Sequence, residues 1–451
     1  MPLRQRSLVV GAALEGFEPA RHRAGQAGCF NWLSAYHQQV YPAPALVVGR
    51  NAIRPLEDDL LDTAVRRDLD RVPDGQTVRG DRVMGLVYFA VHGQAHGLRF
   101  GRRSQPRRLG RDVNHPPQLK LEAMTGRERV EAAIAMGVAD RPPVGAWGHT
   151  YREEWSPEAL ASITVERARQ FGWDFVKFQP RASSFAEAFG SVYKPAGHPF
   201  KGPVLVSPAV PDLESWNKVE LVNPKALDDQ VKSIGLVARE LGRDVPVIQT
   251  VFSPVTVGGY LVGKSSARVR RELRQHPELV RPALDRISEA MVDFSRRSVE
   301  AGAAGIFYAI SGYASKDAMK EDVYRETLLP YDVAVLRHLP SEAWFNAVHL
   351  CGSNLNFDLA RDLPAQVISW SVHNQGNPSL AEGRTLSGRP VMGGLGQRGS
   401  LLYGPPPEVE AEARRAVAET GGRGLLLAPG CSVPPRARDV NLAAMVSALA
   451  A

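Results

Sequence analysis

From residue 124 onward, apolar and polar positions alternate with a regularity that the first part of the chain lacks. Eight short apolar runs follow one another, at 143–149, 174–179, 245–252, 304–310, 343–351, 367–372, 390–395 and 424–428. Each has the length of a strand buried on both faces, which is the habit of parallel pairing. Between them lie segments with helical period and helical punctuation. Thr125 and Glu128 form a capping-box pattern ahead of Val130, Ala133 and Ile134, with Gly137 as the stop. Ser156-Pro157 opens a helix that Gly172 closes, Asn223-Pro224 opens another that Gly242 closes, and Pro277 starts a long one that ends at Gly302. Segments 407–420 and 439–449 supply two late helices. Strands alternating with helices pair in parallel, and eight such units close into an α/β fold, the (β/α)8 or TIM barrel, of roughly 250–400 residues. The barrel is expected over 124–451.

Residues 1–123 read differently. Sustained amphipathic periodicity is missing, and the two apolar stretches at 43–48 and 84–91 are too few to build a core. A poorly structured, basic N-terminal extension is therefore expected here. Residues 1–119 hold 17 Arg and no Lys against 11 acidic residues, so they carry most of the chain's formal charge of +7. The barrel segment is close to neutral, and its charge supplies no argument for a nucleic-acid partner. With 44% hydrophobic and 23% charged residues the chain reads as soluble and globular, and no apolar run is long enough for a membrane span. Gly11, Glu15 and Glu18 interrupt what would be a signal peptide. Three cysteines, Cys29, Cys351 and Cys431, are too few for a disulfide scaffold. A cytoplasmic enzyme is the expectation.

In such barrels the chemistry sits at the C-terminal ends of the strands. The fifth run ends His349-Leu350-Cys351, and residues two apart in a strand share a face, so His349 and Cys351 project together at the barrel mouth. The eighth run leads into Gly430-Cys431. Closing the barrel places Cys431 around the same cavity. One imidazole and two thiolates make a Zn²⁺ ligand set, and three protein ligands leave a fourth position open for a reactant. Taken singly, each residue reads as readily as a buried packing residue. Their coincidence at two strand ends favours a metal site. A free thiol has a pKa of about 8.5 and only its thiolate is a strong nucleophile, whereas coordination to Zn²⁺ deprotonates it.

Several segments resemble the uroporphyrinogen decarboxylase family: Met124-Thr-Gly-Arg-Glu-Arg-Val, Asp140-Arg-Pro-Pro-Val, Asp174-Phe-Val-Lys-Phe, Glu187-Ala-Phe-Gly, His349-Leu-Cys-Gly and Met392-Gly-Gly-Leu. The resemblance spans nearly all of 124–451 and none of 1–120. It implies a (β/α)8 barrel and one of two chemistries. One branch decarboxylates the acetate arms of uroporphyrinogen without a metal. The other, the cobamide-dependent methyltransferases, holds zinc with His-x-Cys and a distant Cys. The resemblance implies that His349, Cys351 and Cys431 are that ligand set, and Gly430-Cys431-Ser432-Val433-Pro434 is similar to the second zinc signature. It further implies a methylated corrinoid on a partner protein as methyl donor and a small thiol or other small molecule as acceptor. The decarboxylase branch opens its first strand with a paired-arginine motif. The corresponding place here reads Val144-Gly-Ala-Trp-Gly-His-Thr-Tyr-Arg, without the pair.

Other strand ends offer polar groups to the pocket. His149, Arg181, Tyr308 and His373 are the expected catalytic or substrate-contacting residues, with Lys177, Gln179, Ser253, Ser311, Asn374 and Gln397 as further lining. Arg181 suits a carboxylate, and Glu187 reads as a helix cap or supporting contact. Residues 258–265 match the phosphate-loop pattern G-x-x-x-x-G-K-S, but Tyr260, Leu261 and Val262 are too bulky for a backbone that wraps phosphate.

Overall fold

The computed structural model describes residues 124–449. The expectations for 1–123, including Cys29, lie outside the described residues. Within them the chain forms β1 (Val176–Phe178), a small antiparallel pair β2 (Val192–Lys194) and β3 (Val204–Ser207), then β4 (Val247–Phe252), β5 (Gly305–Ser311), β6 (Ala347–Cys351), β7 (Val367–Ser369), β8 (Val391–Leu395) and β9 (Leu425–Pro429). Seven of these make one all-parallel sheet in the order β1-β4-β5-β6-β7-β8-β9. Sequential order, with helices between, is the winding of a (β/α)8 barrel.

The eighth wall is the 143–149 run, which pairs on both sides without becoming a regular strand. On one side Leu427 N donates to Pro143 O at 2.8 Å, Gly145 N to Leu427 O at 3.2 Å, and Val433 N to Trp147 O at 2.8 Å. On the other, Asp174 N donates to Val144 O at 2.8 Å. Pro142 and Pro143 have no N–H to give, which thins the ladder. Two glycines let the run approach its neighbours. A Cβ on Gly145 would sit 2.7 Å from Phe175 O, and one on Gly148 would sit 2.6 Å from Val433 O.

The helices follow their punctuation. Ser156 caps Pro157–Phe171, accepting from Ala159 N, and Gly172 ends it at φ 63°. The helices Lys225–Leu241 and Pro277–Glu300 fall where their prolines and glycines place them. Thr125 and Glu128 form both bonds of the capping box for Gly126–Ile134, which stops three residues short of Gly137. The first half of the phosphate-loop pattern is helical and only 262–265 form a turn. Pro254–Leu261 is a buried helix in which Gly258 packs on Trp216 and Gly259 on Tyr313. None of the described helices is long and apolar enough to cross a membrane.

Side chains alternate between barrel interior and helix layer. Phe307 faces inward, with its ring centroid 5.4 Å from Trp147 and 5.2 Å from His349. Its neighbour Tyr308 faces outward and donates to Asp332 Oδ1 at 2.8 Å, while Tyr324 donates to Oδ2 at 2.6 Å. Burial pushes the Asp332 carboxyl up to about 7, against the opposing pull of those two hydroxyls. A carboxyl raised this way in the folded state contributes stability that is complete below its unfolded pKa near 4 and is lost as pH rises through 7. Asp332→Asn should therefore gain stability relative to the native chain between pH 5 and 8, read as converging or crossing melting temperatures. A constant offset across that range would rule the assignment out.

Asp174, 3% exposed, ties the first run to the rest. Its carboxylate accepts from Arg129 Nη1 at 2.8 Å, Arg141 Nη2 at 3.0 Å and Val144 N at 2.8 Å. Removing one partner of a buried pair typically costs about 3–5 kcal/mol, because the other charges stay buried. Asp174→Asn should lose about 3 kcal/mol in urea unfolding; a loss below about 1 kcal/mol would mean the pair is not what holds the run in place.

Candidate metal centre

β6 carries His349 and Cys351 on its inner face, and Cys431 follows β9 by two residues. Their ligand atoms all lie within 4.8 Å of one another, with His349 buried and both thiols half-buried. A tetrahedral Zn²⁺ with bonds of about 2.0–2.3 Å sets ligand atoms roughly 3.3–3.8 Å apart, so closure needs only small side-chain rotations. His349 Nδ1 lies 3.2 Å from Ser369 Oγ on the adjacent strand β7. That leaves Nε2, which is buried and has no hydrogen-bond partner. A buried nitrogen without a partner is costly, and a metal would satisfy it. An oxygen partner on the far ring nitrogen is the usual support of a metal-binding imidazole. The donor set fits the ion.

The two thiols share their protons unequally. Cys351 draws the Cys431 thiol well below its ordinary range, with further lowering from His349, against the raising effect of burial. Cys351 is itself pushed well above that range by Cys431 and by burial. The pair gives up its first proton readily and holds its second, as two close thiols in a buried site do.

A hydrogen-bonded chain flanks the cluster. Gln179 Oε1 accepts from Lys177 Nζ at 2.5 Å and from Ser432 Oγ, beside Cys431, at 3.2 Å. The Gln179 amide nitrogen must then be the donor toward His149 Nε2, 3.3 Å away. His149 in turn keeps its proton on Nδ1 and donates to Glu154 Oε1 at 2.7 Å. This chain links His149 to Lys177 and Ser432, and the His149 ring stacks on Tyr151.

The other expected site residues lie apart from the cluster. Tyr308 is corrected outright: β5 continues to Ser311, and strand alternation turns Tyr308 to the helix layer and Asp332. Arg181 directs three of its five N–H groups to neighbours. It pairs with Glu187 at 2.7 Å, donates to Glu154 O at 2.6 Å and covers the Trp155 ring. His373 stands on the loop after β7, with Nε2 3.2 Å from Gly394 O and 3.9 Å from Glu412. Sequence reasoning missed Ser369 and Glu154. A partner twenty residues away on the next strand leaves no spacing to read, and Glu154 lies in a short turn of helix, Glu153–Trp155.

The comparisons agree with this architecture. The methylcobamide:CoM methyltransferase MtaA of Methanosarcina barkeri is 27% identical over 296 residues, covering 65% of this chain and 84% of that protein. The uroporphyrinogen decarboxylase of Alkalilimnicola ehrlichii is 25% identical over 354 residues, covering 71% and 93%. A solved methyltransferase structure from Methanosarcina mazei superposes with a TM-score of 0.62 at 25% identity, over 72% of this chain and 98% of that one. The family profile described as uroporphyrinogen decarboxylase (URO-D) matches residues 127–451, and the chain belongs to that family.

Proposed function

We propose that the protein is a zinc-dependent methyltransferase that moves a methyl group from a methylated corrinoid, carried by a partner protein, to a thiol. The observation that carries this reading is the buried, unpartnered Nε2 of His349 beside two cysteine sulfurs. His349, Cys351 and Cys431 would hold Zn²⁺. Bound there, the ion would supply a Lewis acid that keeps an acceptor sulfur deprotonated and nucleophilic at neutral pH. The chain's own contribution is orientation. Ser369 fixes the His349 ring, and Phe307 stacks on it at 5.2 Å. In the transfer, a sulfur lone pair forms the S–C bond as the Co–C bond of the donor breaks, with the electron pair staying on cobalt. The likeness to a relative whose name pairs methylcobamide with CoM supports the same reading.

Relatives named uroporphyrinogen decarboxylase make a metal-free decarboxylation the second reading. No arginine stands between Pro143 and Thr150, on the run where that branch places its paired arginines. Incubation with uroporphyrinogen should release no carbon dioxide above background; turnover to coproporphyrinogen would overturn the methyltransferase reading.

Purified protein should contain one zinc per chain. Cys351→Ser or Cys431→Ser should lose most of it while the melting transition stays cooperative. Methyl transfer from a methylated corrinoid to a thiol should vanish on chelation and return with zinc. Full metal retention in both serine variants would refute the ligand assignment.

A further inference from the structure

Two cations act on Cys351, Arg398 and Lys177; of these Lys177 is the strongly buried one, and the reaction scheme above leaves it unused. It is 4% exposed on β1 and projects into the barrel. Its Nζ lies 4.8 Å from the centroid of Phe307 and 5.5 Å from that of Trp147. Phe307 is the ring that stacks on His349, so the amine is one aromatic ring away from the proposed ligand. On its other side Nζ shares the oxygen Gln179 Oε1 with the hydroxyl of Ser432, the residue after Cys431. Among the described residues no carboxylate forms an ion pair with it. Glu154 is reached only through Gln179 and His149. An ammonium group this deep is expensive unless an anion pairs with it, and one amide oxygen with two ring faces is a weak substitute. Burial draws its pKa down to about 7, with Cys431, then Cys351 and Glu154 opposing that fall.

The charge count at the adjacent centre indicates which anion is missing. Two cysteinates neutralise a divalent ion, and neutral His349 adds nothing. An acceptor arriving as a thiolate then brings one further negative charge into a cavity of low polarity, where Arg398 and Lys177 are the cations that act on Cys351. We infer that Lys177 is a positioning residue, whose ammonium supplies the compensating charge for an acceptor that enters the His349–Cys351–Cys431 centre as a thiolate. The inference rests on the thiol-activating role proposed above and adds a selection rule. The site should favour ligands that gain negative charge on binding over neutral ligands of the same position.

The test is spectroscopic and needs no turnover. With Co²⁺ in place of zinc, the visible bands of the full-length protein report any ligand that enters the fourth position. The probes are 2-mercaptoethanol, which binds as an anion, and imidazole, which binds neutral. Lys177→Met keeps the apolar stem and Lys177→Gln keeps a polar end, so at least one folded variant without the charge is expected. In either, the half-saturating concentration of 2-mercaptoethanol should rise about tenfold or more, as loss of one unit charge about 10 Å or less away in a medium of low polarity predicts, while that of imidazole stays the same. Equal weakening for both probes would make Lys177 a structural residue and overturn the inference, as would no change for either. If the native cobalt protein binds imidazole but gives no response to the thiol, the thiol-activating function itself falls and takes this role with it.

Discussion

Closure of the barrel by the 143–149 run is the constraint on which the candidate centre depends. His349 and Cys351 belong to β6, whereas Cys431 leaves β9, a strand that would stand at an open sheet edge if the first run did not cover it. The run itself is a poor strand, with prolines at its start and only isolated bridges to β9. Asp174 makes up the deficit. Its main chain bonds Val144 on one side, and its carboxylate gathers Val144 N, Arg129 and Arg141, so a helix, a loop and the run converge on one buried charge. Such an arrangement costs desolvation and returns specificity: only one register of the run satisfies every partner. The Val433 N to Trp147 O bond then fixes the segment just past Cys431. The position of one candidate ligand sulfur thus depends on an ion pair at the opposite, N-terminal end of the strands.

Much of this was legible in the sequence because two periodicities carry it. Runs of five to nine residues separated by capped helices leave few architectures open, and all but the first run became ladder strands. His349 and Cys351 could be paired because side chains two apart in a strand share a face, and Cys431 because parallel winding returns the last strand to the first. Two of the expected pocket residues are spent elsewhere, each for its own reason. Tyr308 lies within β5, and strand alternation puts it on the outer face where Asp332 meets it, a facing that the run's position alone did not reveal. Arg181 failed for another reason. Its partner Glu187 was visible six residues on, yet nothing in the sequence says that a guanidinium will spend its donors on a neighbour and a carbonyl rather than on a ligand.

The interior around the candidate centre is organised by charge as much as by shape. Phe307, Trp147 and the buried strands exclude water, which strengthens every interaction among the polar groups they enclose. In that setting the two sulfurs cannot ionise independently, and the imidazole beside them cannot leave its inner nitrogen unpaired without cost. Lys177 would be equally unfavourable as an isolated cation. Each of these groups is destabilising alone, and the proposed Zn²⁺ and thiolate would satisfy them together. The barrel segment is close to neutral overall, yet it holds unbalanced polar groups at its core. A site built this way discriminates by net charge before it discriminates by shape, because the cost of a wrong charge in a dry cavity exceeds the cost of a misplaced methyl group.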